Sequence, residues 1–321
     1  MIELESAVIV KPRKLKAGDT ICLVAPGSAG TDSASYEKGK LIIEARGFRV
    51  VEGKHVRDAR LFFAGEDSAR ADDMNRAFAD DAVDAVMCVR GGAGSARILP
   101  YLDFDVIRRH PKIFIGYSDI TALQLAMLKR CGLVTFYGPM LATELGRSFT
   151  LFSEQSLFEA LTTADEAIPV RRKPGRNVST LCGGEAHGQL VGGCLSVLAS
   201  TLGTEWEVDT RDRIVFLEDI DERPHRIDRY LTQLLLANKL QDTRALLFGA
   251  FSRCEYPHQH EYARFNVGTL DIIRERVLPL GKPCLYGLPF GHTRDMLTIP
   301  NGGYAHVDAT SQRIVLEPPV E

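Results

Sequence analysis

Lys112-Ile113-Phe114-Ile115-Gly116-Tyr117-Ser118-Asp119-Ile120 is the stretch that decides how this chain of 321 residues folds. An apolar run leads into a Gly-Tyr-Ser-Asp turn, and the apolar positions of residues 120–131 then recur at helical spacing. Basic residues followed by Gly132 are typical of a helix C-terminus. The pattern predicts a buried strand, a tight turn and a helix.

Ser118 has two interpretations at this turn. A serine at the carboxyl end of a strand exposes its hydroxyl beside the free N–H groups of the following helix, which is a position suited to a nucleophile. Ser118 or Asp119 could instead be only the N-cap of the helix, since both residue types are favoured there. The stretch alone favours the cap.

Apolar strands alternate with helical patterns on both sides of this stretch. Short apolar runs begin at Thr20, Phe48, Ala85 and Val134, and helical patterns lie between them, with residues 67–79 as the clearest. This alternation predicts a largely parallel sheet covered by helices on both faces, with its site at the carboxyl ends of the strands.

The alternation lapses in a polar, turn-rich segment, which we interpret as a linker over residues 169–184 between domains 1–168 and 185–321. In the second domain, Gly192-Gly193 is expected to open a helix that runs to Leu202. A strand ending at Glu218, further strands and helices, and a strand-like run up to His292 follow.

Composition excludes several classes of protein. The net charge of −3 argues against a nucleic-acid partner, and no stretch has the roughly 18 apolar residues of a membrane span. The acidic residues 1–6 lack the apolar core of a signal peptide, so we expect a cytoplasmic protein. The seven cysteines are scattered through apolar runs, and we expect free thiols and no metal site.

A nucleophilic serine needs a base, and the base needs a group that fixes its tautomer. His292 is the best candidate base, because it follows a strand-like run between two turns. Glu218 ends a buried strand and could accept a hydrogen bond from the His292 ring. Taken singly, a loop histidine and an acidic strand exit are more often structural or solvated. His110, His225 and His306 are interpreted as surface residues.

The turn Arg90-Gly91-Gly92-Ala93-Gly94 also ends a strand. Its glycines let a backbone approach a ligand closely, which suits either a phosphate or an oxyanion. The turn lacks the lysine and Ser/Thr of a P-loop, so a nucleotide is the weaker interpretation. Arg90 could bind a substrate carboxylate, although an arginine beside such a turn is more often a structural tie.

Together these motifs closely resemble the LD-carboxypeptidase family of serine peptidases, which includes enzymes that trim cell-wall peptides and microcin immunity proteins. The resemblance covers nearly the whole chain, and it rests on the order and spacing of short motifs at Val24-Ala25-Pro26, Arg90-Gly91-Gly92, Gly116-Tyr117-Ser118-Asp119, Gly192-Gly193, Leu217-Glu218-Asp219, Ile227-Asp228-Arg229, Gly287 and Gly291-His292.

This resemblance implies an amino-terminal, largely parallel, doubly wound α/β domain and a smaller, β-rich α/β domain, with the active site between them. Ser118 would be the nucleophile, His292 the base and Glu218 the third member of a Ser-His-Glu triad. The backbone N–H groups of Gly92 and Asp119 would form the oxyanion hole. No metal or cofactor is implied.

The implied activity is release of terminal D-alanine from a murein tetrapeptide in cell-wall recycling, by a protein that is expected to be a homodimer. The family often has an aromatic residue in place of Ala93 and an asparagine in place of Cys194. Because both positions lie close to the expected cleft, the identity of the substrate is left undecided. One alternative is an immunity-type hydrolase of peptidyl- or aminoacyl-nucleotide amides with the same triad. Another is a module that binds a ligand without turnover.

Overall fold

The computed structural model describes residues 8–321 except Thr31, Arg172 and Pro174. The amino-terminal segment in which no signal peptide is expected, and two residues of the expected linker, therefore lie outside the described residues. Within the described part, none of the helices combines the length and the apolar character needed to cross a bilayer. All seven cysteines are free thiols, as expected, and six of them are buried.

The amino-terminal half alternates strands and helices. Its elements are β1 (Thr20–Val24), α1 (Ser33–Ala45), β2 (Arg49–Glu52), α2 (Asp67–Ala79), β3 (Ala85–Cys88), α3 (Phe104–Arg109), β4 (Ile113–Gly116), α4 (Thr121–Cys131), β5 (Thr135–Tyr137), α5 (Gly146–Ser148) and α6 (Leu151–Thr162). Short 3₁₀ turns at Ser95–Tyr101 and Ser118–Ile120 precede α3 and α4, and a π-helical turn at Leu141–Leu145 precedes α5.

The remainder of the chain is richer in strands. It contains β6 (Ile168–Pro169), β7 (Ser179–Cys182), β8 (Glu185–Cys194), α7 (Leu195–Ser200), β9 (Ile214–Ile220), α8 (Pro224–Leu236), β10 (Ala245–Ser252), α9 (Thr269–Val277), β11 (Cys284–Tyr286), β12 (Ile299–Asn301), β13 (Tyr304–Asp308) and β14 (Arg313–Leu316).

The described strands form two sheets. The first has the order β12-β5-β4-β3-β1-β2 and is parallel except for β12. The second has the order β6-β14-β13-β8-β9-β10-β11-β7, with a parallel centre from β8 to β11 and antiparallel strands on either side. The α/β architecture expected from the sequence is confirmed.

One strand and a shared apolar cluster connect the halves. Strand β12 comes late in the chain but pairs with β5 of the first sheet, whereas β6 and β7, within or beside the segment expected to be a linker, pair at the two edges of the second sheet. One apolar cluster also contains side chains from both sheets, including Phe114, Tyr137, Phe216 and Phe290. The two sheets therefore share part of their apolar core.

The expectation for Gly192-Gly193 is wrong, because both glycines lie at the end of β8 and the helix begins only at Leu195. The reason is a close approach between neighbouring parts of the fold. A Cβ at Gly192 would lie 1.8 Å from the Phe216 carbonyl oxygen, and one at Gly193 would lie 2.5 Å from the Thr121 hydroxyl of α4. Glycine here lets β8 pack directly against the start of the helix that follows Ser118.

Candidate active site

Ser118 lies in the turn between β4 and α4, with its backbone in the left-handed region at a φ of 65°. This conformation is uncommon for a residue other than glycine and persists only where the surroundings fix it. Two bonds do so here: the Ser118 N–H donates to the Tyr137 hydroxyl at 3.2 Å, and the Thr121 hydroxyl donates to the Ser118 carbonyl at 2.6 Å. The turn therefore presents the Ser118 hydroxyl outward.

His292 lies within hydrogen-bonding distance of that hydroxyl. Its Nε2 atom is 3.0 Å from Ser118 Oγ, and its Nδ1 atom is 2.7 Å from Glu218 Oε2. The same carboxylate oxygen accepts the backbone N–H of His292 at 3.0 Å. Ser118 and His292 are 174 positions apart in the sequence, yet together with Glu218 they form one hydrogen-bonded chain.

Gly291 makes this approach possible. It has a φ of 84°, and a Cβ built on it would lie 2.3 Å from the Glu218 side chain. Only a residue without a side chain lets the His292 loop come this close to the carboxylate. On the other side of the loop, the Ser252 hydroxyl donates to the His292 carbonyl, so the histidine is held from both directions.

Burial lowers the pKa of His292, but the charge of Glu218 and its hydrogen bond outweigh this effect and raise that pKa above the ordinary value of 6.5. The imidazole is therefore a stronger base than a free histidine. Its side chain is 13% exposed, whereas that of Glu218 is fully buried. A neutral imidazole in this arrangement can accept the serine proton, and the carboxylate favours the resulting imidazolium.

Tyr137 is a site residue that the sequence did not identify. Its buried hydroxyl donates to Glu218 Oε1 at 2.6 Å and accepts the N–H of Ser118. Burial raises the pKa of Tyr137 well above its ordinary value, so the phenol stays protonated and remains a donor. Its position at the carboxyl end of β5, beside the end of β4, is the signal that could have identified it.

Tyr117 and Glu144 form a second pair that the sequence analysis missed. The Tyr117 ring packs against the His292 ring with centroids 4.9 Å apart, and its hydroxyl donates to Glu144 Oε1 at 2.7 Å. Glu144 in turn accepts from the Met140 N–H and the Thr143 hydroxyl. Tyr117 therefore forms one wall behind the imidazole and restricts its rotation.

The Gly91-Gly92 turn lies against the turn that holds Ser118. A Cβ on Gly91 would lie 3.3 Å from both the Asp119 nitrogen and Ser118 Cβ. Among bonds to the described residues, neither the Gly92 N–H nor the Asp119 N–H is used as a donor. Gly92 is exposed and has a φ of 93°. Two free N–H groups next to Ser118 are the kind of donors that stabilise an oxyanion.

The Asp119 side chain does not cap the helix that follows it. Its Oδ2 atom instead accepts the N–H of Ser95 at 2.9 Å, and the Ser95 hydroxyl donates to the Asp119 carbonyl at 2.5 Å. Helix α4 has no side-chain cap at its start. The N-cap interpretation is therefore wrong for both Ser118 and Asp119, because each has a different partner.

Arg90 lies beside the same turn. One of its terminal nitrogens donates to the Ala29 carbonyl at 3.2 Å, as expected of a structural tie. Its Nε atom, however, is buried without a hydrogen-bond partner among the described residues. A second terminal nitrogen would be 3.6 Å from a Cβ on Gly92. A buried guanidinium donor that has no partner among the described residues, on a side chain beside Gly92, could bind an anionic group of a ligand.

The two residues that depart from the family pattern are held by ordinary contacts. The Ala93 N–H donates to the Ser28 hydroxyl at 3.0 Å. Cys194 is only 4% exposed, and its N–H donates to the Thr121 hydroxyl at 3.0 Å. Burial raises the pKa of the Cys194 thiol well above its ordinary value, which disfavours the reactive thiolate.

A separate cavity of about 840 Å³ lies at the β2 edge of the first sheet. Its lining includes Phe48, Val51 and Asp73, together with basic side chains, but none of Ser118, Glu218 or His292. The hydrogen-bonded chain of Ser118, His292 and Glu218 is therefore not part of the lining of this cavity.

Replacement of Tyr137 by Phe tests the bridge between the serine turn and Glu218. The change leaves one buried carboxylate oxygen and the Ser118 N–H without the hydroxyl that they share, and we expect the free energy of unfolding to fall by about 1–3 kcal/mol. Denaturant unfolding measures the effect, with Tyr101→Phe at an exposed site as the matched control. Equal stability of the two variants would contradict the bridge.

The chain matches models of both domains of a known family. The family model of the LD-carboxypeptidase N-terminal domain matches residues 21–138, and the family model of the C-terminal domain matches residues 187–307. A relative in Bacillus subtilis, named probable murein peptide carboxypeptidase, is 38% identical and aligns over 96% of this chain and 94% of its own length.

Two solved structures extend the comparison. Muramoyltetrapeptide carboxypeptidase from Oxalobacter formigenes is 30% identical, with a TM-score of 0.81 over 92% of this chain and 97% of that one. The microcin C7 self-immunity protein MccF of Escherichia coli, solved in complex with aspartyl sulfamoyl adenosine, is 25% identical, with a TM-score of 0.89 over 97% and 100% of the two chains. The protein described here belongs to the LD-carboxypeptidase family.

Proposed function

We propose that this protein is a serine carboxypeptidase that hydrolyses an L,D-peptide bond and releases terminal D-alanine from a murein tetrapeptide. The observation that carries the proposal is the unbroken chain of hydrogen bonds from Ser118 through His292 to Glu218. The names of the Bacillus subtilis relative and the Oxalobacter formigenes structure support the choice of substrate.

In the proposed reaction, His292 Nε2 takes the proton of Ser118 as Oγ attacks the carbonyl carbon that precedes D-alanine. The N–H groups of Gly92 and Asp119 hold the resulting oxyanion. The imidazolium then gives its proton to the leaving amine, and D-alanine departs from an acyl-enzyme. His292 next deprotonates a water molecule, which attacks the ester and regenerates Ser118.

Arg90 is proposed to bind the terminal carboxylate of the substrate. A carboxypeptidase must recognise this group, and a guanidinium binds it with charge-assisted hydrogen bonds. Two observations support this role: Arg90 Nε has no hydrogen-bond partner in the described part of the chain, and the side chain lies beside Gly92. The bond to the Ala29 carbonyl would then orient the side chain rather than account for it entirely.

The alternative with the same triad is hydrolysis of an aminoacyl-nucleotide amide. The likeness to a structure that holds aspartyl sulfamoyl adenosine favours it. The loop after β10 also carries a cluster of rings, in which Tyr256, His260 and Tyr262 pack on one another and on His225. Aromatic side chains of this kind can stack on a nucleobase. A module without turnover is the third possibility.

Assays of D-alanine release from murein tetrapeptide by wild type and Ser118→Ala test the proposed reaction. We expect release by the wild type and a loss of about 10⁴-fold or more in kcat for the variant, because only the oxyanion hole and substrate binding then remain. Ser200→Ala, at an exposed helical position, is the matched control and should retain full activity.

The same proteins should be assayed with aspartyl sulfamoyl adenosine. Cleavage of this compound without D-alanine release would establish the alternative substrate, whereas binding of either compound without turnover would support the non-catalytic module. Near-normal release of D-alanine by Ser118→Ala would contradict the mechanism itself.

The pH profile tests the coupling of His292 to Glu218. The base must be neutral to act, and its pKa is raised above 6.5, so kcat/KM of the wild type should fall as the pH drops through a value above 6.5. Glu218→Gln removes the charge that raises this pKa and leaves the effect of burial. The acid limb should then move to lower pH, while kcat/KM at its plateau falls by roughly 10³- to 10⁴-fold.

Glu205→Gln, an exposed glutamate that pairs with Arg130, is the control for loss of a carboxylate and should keep the profile of the wild type. An acid limb at the same pH in wild type and Glu218→Gln would show that Glu218 does not set the protonation of the base. Assembly as a homodimer, a cytoplasmic location and a role in cell-wall recycling stay predictions from the sequence.

A further inference from the structure

Two histidines and a glutamate meet on the solvent face of the second sheet. His187 of β8 and His306 of β13 stand directly opposite each other in the antiparallel pairing. Glu317 follows β14, and its N–H donates to the Tyr304 carbonyl of β13 at 2.9 Å. Because alternate residues of a strand point to one face, these three side chains emerge from the same surface.

The nitrogen atoms of the two rings point to one carboxylate oxygen. Glu317 Oε1 is 2.7 Å from His187 Nε2 and 3.7 Å from His306 Nε2. The rings are stacked, with centroids 4.1 Å apart and an interplanar angle of 21°. Among the described residues, this is a group of three possible metal ligands whose donor atoms all lie within 4.8 Å of one another.

We propose that His187, His306 and Glu317 form a surface binding site for a divalent transition-metal ion, with Zn²⁺ as the ion that fits best. Zinc is bound by imidazole nitrogen at about 2.0–2.1 Å and by carboxylate oxygen at about 2.0–2.2 Å, usually with four ligands. Two imidazoles, one carboxylate and a water molecule make up such a set. Mg²⁺ and Ca²⁺, which prefer oxygen ligands, do not fit it.

The backbone is already suited to this site. Tetrahedral coordination at those bond lengths needs donor atoms roughly 3.3 Å apart, and the separations to Glu317 Oε1 lie on either side of that value. The side chains of His187, His306 and Glu317 are 49%, 62% and 38% exposed, so small rotations can close the remaining gap. Pairing of β8, β13 and β14 fixes their Cα positions.

A simple ion-pair ladder accounts for only part of this arrangement. It explains the contact between His187 and Glu317, but it does not require a second imidazole stacked on the first with its Nε2 directed at the same oxygen. The site also borders a concavity of about 340 Å³ whose lining includes Glu185 and Asp308. These two carboxylates stand opposite each other, and although Arg313 also lines the concavity, they leave its charge negative and favourable for a cation.

The site is separate from the proposed reaction. His187 lies near the start of β8, whereas the other end of this strand, at Cys194, pairs with Glu218. At about 3.3 Å per residue, the two ends are roughly 20 Å apart. The proposed metal site therefore does not depend on the proposed function, and a variant at His306 should leave hydrolysis unchanged.

Isothermal titration of the full chain with ZnCl₂, in a buffer that does not bind zinc, tests the proposal. We expect saturable binding by the wild type and a loss of at least about tenfold in affinity for His306→Ala and for Glu317→Gln. His258→Ala, an exposed loop histidine, is the matched control and should bind zinc as the wild type does. Zinc should also raise the melting temperature of the wild type and the control more than that of His306→Ala.

Two results would overturn the inference. One is the absence of saturable zinc binding to the wild type, and the other is wild-type affinity in both His306→Ala and Glu317→Gln. All three substituted side chains are exposed or half-buried, so we expect each variant to fold. A cooperative melting transition without zinc checks this for each variant. Failure of D-alanine release alone would leave this result unaffected.

Discussion

The buried carboxylate of Glu218 is the group on which the rest of the candidate site depends. None of its side chain is exposed, and a carboxylate removed from water is strongly destabilising unless it is paired and hydrogen-bonded. The fold supplies the His292 ring, the His292 backbone N–H and the Tyr137 hydroxyl as partners. Tyr137 belongs to the first sheet and Glu218 to the second, so the hydrogen bond to this buried carboxylate joins the two sheets.

Two glycines around this junction allow the close approaches between its parts. Gly291 brings the histidine loop against Glu218, and Gly193 brings β8 against the helix that follows Ser118. The apolar cluster that contains side chains of both sheets makes the junction part of the core. The left-handed backbone conformation of Ser118 can be maintained here because its N–H and its carbonyl are both held by hydrogen bonds.

The local elements were largely predictable from the sequence, because strand and helix periodicity are local properties. Helix α2, for example, has the bounds expected from its pattern. The extent of β8 was not predictable, since pairing with β9 and β13 continues the strand through two glycines that resemble a helix start. Tyr137 was missed because its contact with Glu218 joins residues 81 positions apart, and no local pattern records such a contact. The candidate triad residues were identified from short motifs, because the order of these motifs along the whole chain resembles that of the family.

The most direct test of the account is covalent labelling of the nucleophile. The full chain would be treated with a fluorophosphonate, a reagent that reacts with serines activated by a base, and analysed by intact mass and peptide mapping. Our expectation is one adduct for each chain, located on Ser118 and absent from His292→Ala, because the unactivated hydroxyl is a weak nucleophile. Absence of an adduct on the wild type, or an adduct on another residue that leaves Ser118 unmodified, would contradict it.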